Sequence, residues 1–334
     1  MKDFRDKVLN SLPIYSGEYL FLPNRLRPSF ILPMHNRYVY KMALSLITPL
    51  SRKGKVIKVA LKITPFFLLR WLFDKEFITT KSQLKKYYAL IIPWNTELKT
   101  YEKLTLINFS WEEGAVSVSK IGFSSLAKQL IKNEASVLTK LVDYYDSCVP
   151  KYLSFTENPS YAMATVSYLG GEKTDTISLH IESFMNSFVQ KTILLCKHPY
   201  ILKTKDAVFD ALAVSNKKYL QQKFDALFSL YAFENMPITL MHGDFCKSNV
   251  ITQKSGRQVI VDWEDADEEG LPVDIAFYRF KNTLSHKYPF VVYNLIDALA
   301  VYQYIVHHTK RNNIDALGIF DTSKRRKNFI EWKI

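Results

Sequence analysis

Between residues 87 and 169 apolar positions come in short runs of period two. ALIIPW (89–94), KLTLINF (103–109) and AVSVSKI (115–121) end in the polar turns Asn95–Thr96 and Glu113–Gly114, which predicts three sequential antiparallel strands. The period then lengthens: Leu126, Leu130, Glu134, Leu138 and Leu141 recur at helical spacing behind Ser124 or Ser125 as N-cap, so a helix follows. YLSFTEN and YAMATVSYL supply two more strands before Gly170–Gly171 turns the chain. Five strands and one helix make a small antiparallel lobe, residues 87–169.

From Gly170 to Ile334 the apolar period is nearer 3.6, over about 178–196, 205–233 and 289–308. Two short β-rich runs, ITLMHG (238–243) and QVIVDW (258–263), interrupt these helices. The expected class is α+β, with two lobes, the second mainly helical and carrying a small hairpin. Residues 1–86 stand in front as a basic extension. Within it, residues 40–73 mix aliphatic and aromatic side chains with Arg52, Lys53, Lys55, Lys58, Lys62 and Arg70. This is either an interfacial amphipathic segment or a helical extension whose apolar face packs on the protein; packing is the commoner use of such a pattern.

Composition narrows the class. With 334 residues, 48% of them hydrophobic and 23% charged, the chain can bury the cores of two domains, and its 10 Gly and 13 Pro form no low-complexity run. Cys148, Cys196 and Cys246 are too widely spaced for a zinc site and too few for a disulfide framework, which fits a reducing cytoplasm. MKDFRDKVLN lacks the apolar core of a signal peptide, and no apolar stretch reaches the ~18 residues of a spanning helix. The expected location is therefore cytoplasmic, including the inner membrane face if residues 40–73 meet anionic lipid there.

Charge is more telling: the net +13 is concentrated at the start, with 14 Lys and Arg against 5 Asp and Glu in residues 1–80. Such a surplus asks for an anionic neighbour. No helix-turn-helix, zinc finger or RNP-like pattern accompanies it, so nucleic acid is not the expected partner. An anionic membrane surface or a lipid-linked substrate suits the texture better.

The chemistry-bearing residues lie in the second lobe. ITLMHGDFCKSNVITQKSGRQVIVDWEDADEEGLPVDIAFY begins with an apolar run that delivers Asp244, followed five residues on by Asn249. A turn at Lys254–Gly256 and a second apolar run then deliver Asp262. A hairpin would bring Asn249 and Asp262 together as hard oxygen ligands suited to Mg²⁺. Asp244, on the loop before it, is placed to take a hydroxyl proton during phosphoryl transfer. Any one of these residues could equally cap a turn; the ordered set of three is what points to chemistry.

HGDFCKSN and IVDWEDADEEGLPVDIAFY resemble the catalytic loop and metal-binding motif of the aminoglycoside phosphotransferase and choline kinase superfamily, distant relatives of the protein kinases. The resemblance implies a protein-kinase-like two-lobed fold and an ATP- and Mg²⁺-dependent phosphotransferase. Asp244 would be the catalytic base, Asn249 and Asp262 the metal ligands, and His242 and Asp274 structural supports of the loop. Lys120 in VSKIG and Glu134 in the following helix would form the pair that serves the nucleotide phosphates, and Ser167 to Leu169 the adenine-binding hinge. The glycine-rich phosphate loop of protein kinases is missing from WNTELKTYEKL. DWEDADEEGLP (262–272) with RPSFILPMHNRYVYKMALSLITP (27–49) also resembles phosphotransferase-like proteins of bacterial surface-polysaccharide synthesis, and together with the basic charge this favours a sugar or lipid-linked glycan hydroxyl as acceptor. The acidic run EDADEE (264–269) keeps a cationic acceptor of the aminoglycoside or choline type in play, and a kinase-fold protein that binds nucleotide, glycan or membrane without turnover is the non-enzymatic alternative.

Overall fold

The strands expected between residues 89 and 169 form, in a sheet larger than five strands. The computed structural model describes residues 16–22, 29–47, 52–78, 88–93, 103–110, 113–144, 148–174, 176–215, 217–285, 290–311, 313, 317, 319–320 and 330–334. The chain divides into two compact units, Met1–Ala135 with Lys151–Tyr168, and Ser136–Pro150 with Leu169–Ile334.

In the first unit the elements are β1 (Gly17–Leu22), β2 (Phe30–Pro33), α1 (Arg37–Leu46), α2 (Arg52–Ile63), α3 (Phe66–Leu72) and β3 (Lys75–Ile78). Then come β4 (Tyr88–Pro93), β5 (Lys103–Ser110), β6 (Gly114–Gly122), α4 (Ser125–Lys140, counted with the second unit from Ser136 on), β7 (Tyr152–Glu157) and β8 (Ala162–Ser167). The strands join one antiparallel sheet in the order β3-β1-β2-β4-β5-β6-β8-β7. Period-two alternation sorts the side chains between its faces. Tyr19, Phe21, Ile91, Leu106 and Ile121 pack in one cluster, while Leu20, Leu22 and Leu90 pack in another against Val39, Tyr40, Ala43 and Leu44 of α1. Asn36 caps α1, its side-chain oxygen accepting from the backbone N–H of Tyr38 and Val39.

Of the stretch expected as an extension, residues 1–86, the described strands belong to this sheet. Ile31 of β2 pairs with Ile91 of β4, so the strands of the extension complete the sheet and share its cores. GEYLFL and FILP are strands because β4 offers an edge whose backbone groups need partners, a long-range demand that local periodicity does not carry.

The second unit holds β9 (Glu172–Lys173), α5 (Leu179–Asn186), β10 (Val189–Leu194), α6 (Pro199–Val214), α7 (Lys218–Leu230) and β11 (Asn235–Met241). It continues with β12 (Val250–Thr252), β13 (Gln258–Ile260), β14 (Asp267–Gly270), α8 (Asp274–Ser285), β15 (Phe290–Val292), α9 (Leu295–Lys310) and β16 (Ile330–Trp332). Its core forms around α9, whose Leu299, Val301, Tyr302 and Ile305 are wholly buried against α6, α7 and α8. Three expected helices are shorter than their apolar pattern. The run 178–196 is helix only to Asn186 and then β10, which pairs with β11; 205–233 breaks around Ser215–Lys217; and 289–308 opens as β15, paired in parallel with β16. Among the described residues no helix is long and apolar enough to cross a membrane.

Candidate active site

Each unit carries part of the expected residue set. In the first, β6 lies between β5 and β8, so Lys120 is a lysine of an interior strand rather than of an edge. Its Nζ donates to Glu134 Oε1 at 2.7 Å, with the two side chains 14% and 4% exposed. Gly122 permits this pairing: a Cβ there would stand 2.5 Å from the Ala127 backbone carbon, so only glycine lets α4 start so close to the end of β6. Ser124 then caps α4 by accepting from the Ala127 N–H. Ser167 ends β8, where its N–H donates to the Lys151 carbonyl and its hydroxyl accepts from the Lys151 N–H. The Tyr168 N–H donates to the Val116 carbonyl, and Leu169 opens the second unit.

In the second unit the expected hairpin is present. β12 and β13 pair antiparallel from Val250↔Ile260 to Thr252↔Gln258. The Val261 N–H donates to the Asn249 carbonyl at 2.9 Å, which carries the ladder one step further and leaves Asn249 and Asp262 at its open end. Asp262 has φ of 71°, the only positive φ outside glycine among the described residues. This left-handed conformation costs a residue with a Cβ about 1–2 kcal/mol, Asp being among the residues that tolerate it best, and such strain collects at functional positions.

The loop before the hairpin leaves β11 through His242, Gly243 and Asp244. Asp274, at the first turn of α8, accepts from the backbone N–H of His242 at 2.8 Å and of Gly243 at 3.2 Å. Burial pushes its carboxyl up to about 6, against the opposing pull of His242 and of these two bonds. The buried His242 ring bridges two segments: Nε2 lies 3.0 Å from the Val261 carbonyl, while Nδ1 is 3.3 Å from the Asp244 N–H. The tautomer protonated on Nε2 satisfies both. Gly243, at φ of 83°, is obligatory because a Cβ would sit 2.3 Å from the Asp265 carbonyl oxygen.

Asp244 is held but not consumed. Asn249 Nδ2 donates to its carbonyl at 2.9 Å and lies 3.4 Å from Oδ2, while Oδ1 is buried and accepts no hydrogen bond among the described residues. The Lys281 ammonium stands 3.5 Å from Oδ1, over the rings of Phe277 and Tyr304. The Asn249 amide nitrogen is committed to Asp244, while its amide oxygen accepts from the Ser248 hydroxyl at 3.3 Å and has a second lone pair to offer. That oxygen and the Asp262 carboxylate are hard donors of the kind that could hold Mg²⁺.

Several residues that complete this site have no motif. Gln303 donates from Nε2 to the Gly243 carbonyl at 2.6 Å and accepts from the Tyr200 hydroxyl, so α9 braces the loop from below. Its one sequence signal is that it is a polar residue inside the apolar run LAVYQYIV. Arg311, just past α9, pairs with Glu264 at 2.9 Å and Asp265 at 2.6 Å, and His307 lies 3.5 Å from the same Asp265 oxygen. Lys203 pairs with Asp267 at 2.5 Å, and Lys140 with Glu268. The acidic run 264–269 is thus largely matched by cations brought from other elements.

Residues 201–276 match the phosphotransferase enzyme family. The matched stretch contains His242, Asp244, Asn249, Asp262 and Asp274, so the resemblance carried by HGDFCKSN and its partner motif is to phosphotransferases. No curated protein matches the chain. Among solved structures, the GDP complex of wild-type aminoglycoside 2'-phosphotransferase-IIIa is similar at 15% identity, over 69% of this chain and 83% of that one, with a TM-score of 0.41. An aminoglycoside phosphotransferase from Streptomyces rimosus in complex with ADP and streptomycin follows at 12% identity, 63% and 85% coverage and a TM-score of 0.37. The macrolide 2'-phosphotransferase of Brachybacterium faecium gives 10% identity, 69% and 82% coverage and a TM-score of 0.34.

Proposed function

We propose that the protein transfers the γ-phosphoryl group of a magnesium-bound nucleoside triphosphate, ATP in the first instance, to the hydroxyl of a sugar or lipid-linked glycan. The observation that carries this reading is the Asp244 carboxylate, whose buried Oδ1 accepts no hydrogen bond among the described residues and has the Lys281 ammonium 3.5 Å away, on a loop held by Asp274, His242, Asn249 and Gln303. An acceptor hydroxyl donating to Oδ1 would be oriented for attack and would surrender its proton there. Lys281 holds positive charge beside that oxygen, which suits an acceptor bearing phosphate.

Asn249 and Asp262 would hold Mg²⁺, which when bound neutralises charge on the transferring phosphates. Lys120, kept in place by Glu134, is the cation proposed for the remaining phosphates, and the backbone from Ser167 to Leu169 the adenine contact. A cationic acceptor would need uncommitted carboxylates near Asp244. Glu264, Asp265, Asp267 and Glu268 are instead paired with Arg311, Lys203 and Lys140, which favours a neutral or anionic acceptor.

Asp244→Asn tests the reading, using ATP consumption screened against sugars, lipid-linked glycans, choline and aminoglycosides. Loss of the base should lower turnover by roughly 10²-fold or more while melting temperature and MgATP affinity change little. A stable variant that binds MgATP and turns over near the wild-type rate would remove Asp244 from catalysis.

A further inference from the structure

Between Glu18 and Asp74 the chain has ten Lys and Arg and no Asp or Glu, and α1, α2 and α3 all lie in this stretch. α1 uses its apolar face on the sheet, burying Val39, Tyr40, Ala43 and Leu44. α2 does the opposite. Val56, Val59 and Ile63 recur at helical spacing as one stripe and are 69%, 59% and 76% exposed. Leu61 is the buried side chain of α2 among those described, and at 100° per residue it lies about 150° round the helix from that stripe. Lys58 anchors the inner side, donating to the carbonyls of Ser45 and Ile47. Lys55 and Lys62 run along one edge of the apolar stripe, both exposed. α3 repeats the arrangement after Pro65: Leu69 is buried, while Phe67 and Trp71, one turn apart, are 70% and 81% exposed.

Scattered exposed apolar residues are ordinary, but five large ones on the outward faces of two successive helices are not. We propose that the outer faces of α2 and α3 dock on an anionic lipid bilayer, with Phe67 and Trp71 at the boundary between headgroups and acyl chains and Lys55 and Lys62 on lipid phosphates. Charge complementarity selects this occupant: apolar side chains bordered by cations, in a stretch without one carboxylate, fit an apolar layer beneath a sheet of negative charge. None of this depends on the nucleotide or acceptor chemistry.

The test is co-sedimentation of the full chain with phosphatidylcholine vesicles, with and without phosphatidylglycerol. The wild type should bind the vesicles that contain phosphatidylglycerol, release in high salt, and shift its Trp fluorescence to the blue. Phe67→Ser with Trp71→Ser should lower the partition roughly tenfold or more, since burying one such ring is worth about that much. Both side chains are exposed, so its melting temperature should hold. Lys55→Glu with Lys62→Glu should weaken binding and flatten its salt dependence. The proposal is overturned if the wild type binds neither vesicle, or if the serine variant binds as well as the wild type. It is equally overturned if the wild type is a dimer that the serine variant dissociates, because a second copy then covers the face.

Discussion

Asp274→Asn keeps the shape of the side chain that ties His242 and Gly243 and removes its charge. The bonds at 2.8 and 3.2 Å favour the ionised carboxylate, but burial outweighs them and lifts the carboxyl from 3.8 to about 6. The folded chain therefore keeps this proton to a higher pH than the unfolded chain does. Across the interval between those two values the native state binds more protons, so this group's contribution to stability falls as pH rises and levels off above about 6. A separation of about two pH units corresponds to about 3 kcal/mol. The Asn variant has nothing to titrate there. Its amide nitrogen must face one of the two backbone N–H groups, leaving that donor without an acceptor at a cost of about 1–3 kcal/mol that does not depend on pH. Denaturant unfolding of both proteins from acid to neutral pH separates the effects. The stability of the wild type minus that of the variant should drop by about 3 kcal/mol across the interval, whatever its constant offset. A difference that stays flat would refute a buried, titrating Asp274.

Lys120→Ala should weaken MgATP binding tenfold or more, whereas Lys132→Ala, which removes only an exposed pair with Glu157, should leave it unchanged; calorimetry showing equal effects would exclude Lys120 from the nucleotide site. Because Lys120→Ala removes the cation 2.7 Å from a buried carboxylate, its melting temperature should also fall, and adding Glu134→Gln should recover part of that loss without restoring binding. Asp262→Ala and Asp262→Gly should both abolish Mg²⁺-dependent nucleotide binding, with the glycine variant melting no lower than the wild type because it relieves the positive φ; unchanged affinity in either would sink the metal assignment. Arg311→Ala should cost about 3–5 kcal/mol in chemical denaturation by leaving Glu264 and Asp265 buried without their cation, and a loss under about 1 kcal/mol would show the pair to be solvated.

Residue order alone settled much of this protein. Period-two runs placed β4 to β8, helical spacing placed α4, and two apolar runs joined by a glycine turn predicted the hairpin that sets Asn249 beside Asp262. These are local patterns, in which each residue's neighbours along the chain decide its geometry. The run 189–194 looked helical because its apolar spacing suits either period; pairing with β11 made it a strand. Likewise GEYLFL and FILP became sheet only because β4 offered an unfilled edge. The braces of the site were the least legible. Gln303, Lys281 and Arg311 stand 37 to 67 residues beyond Asp244 and carry no motif, yet they reach its loop or the acidic run beside it. The outward turn of Phe67 and Trp71 was equally open in sequence, since an amphipathic helix shows which residues share a face and not whether that face is covered. Tertiary packing decides this, because the burial of a side chain is a property of what the rest of the chain brings against it.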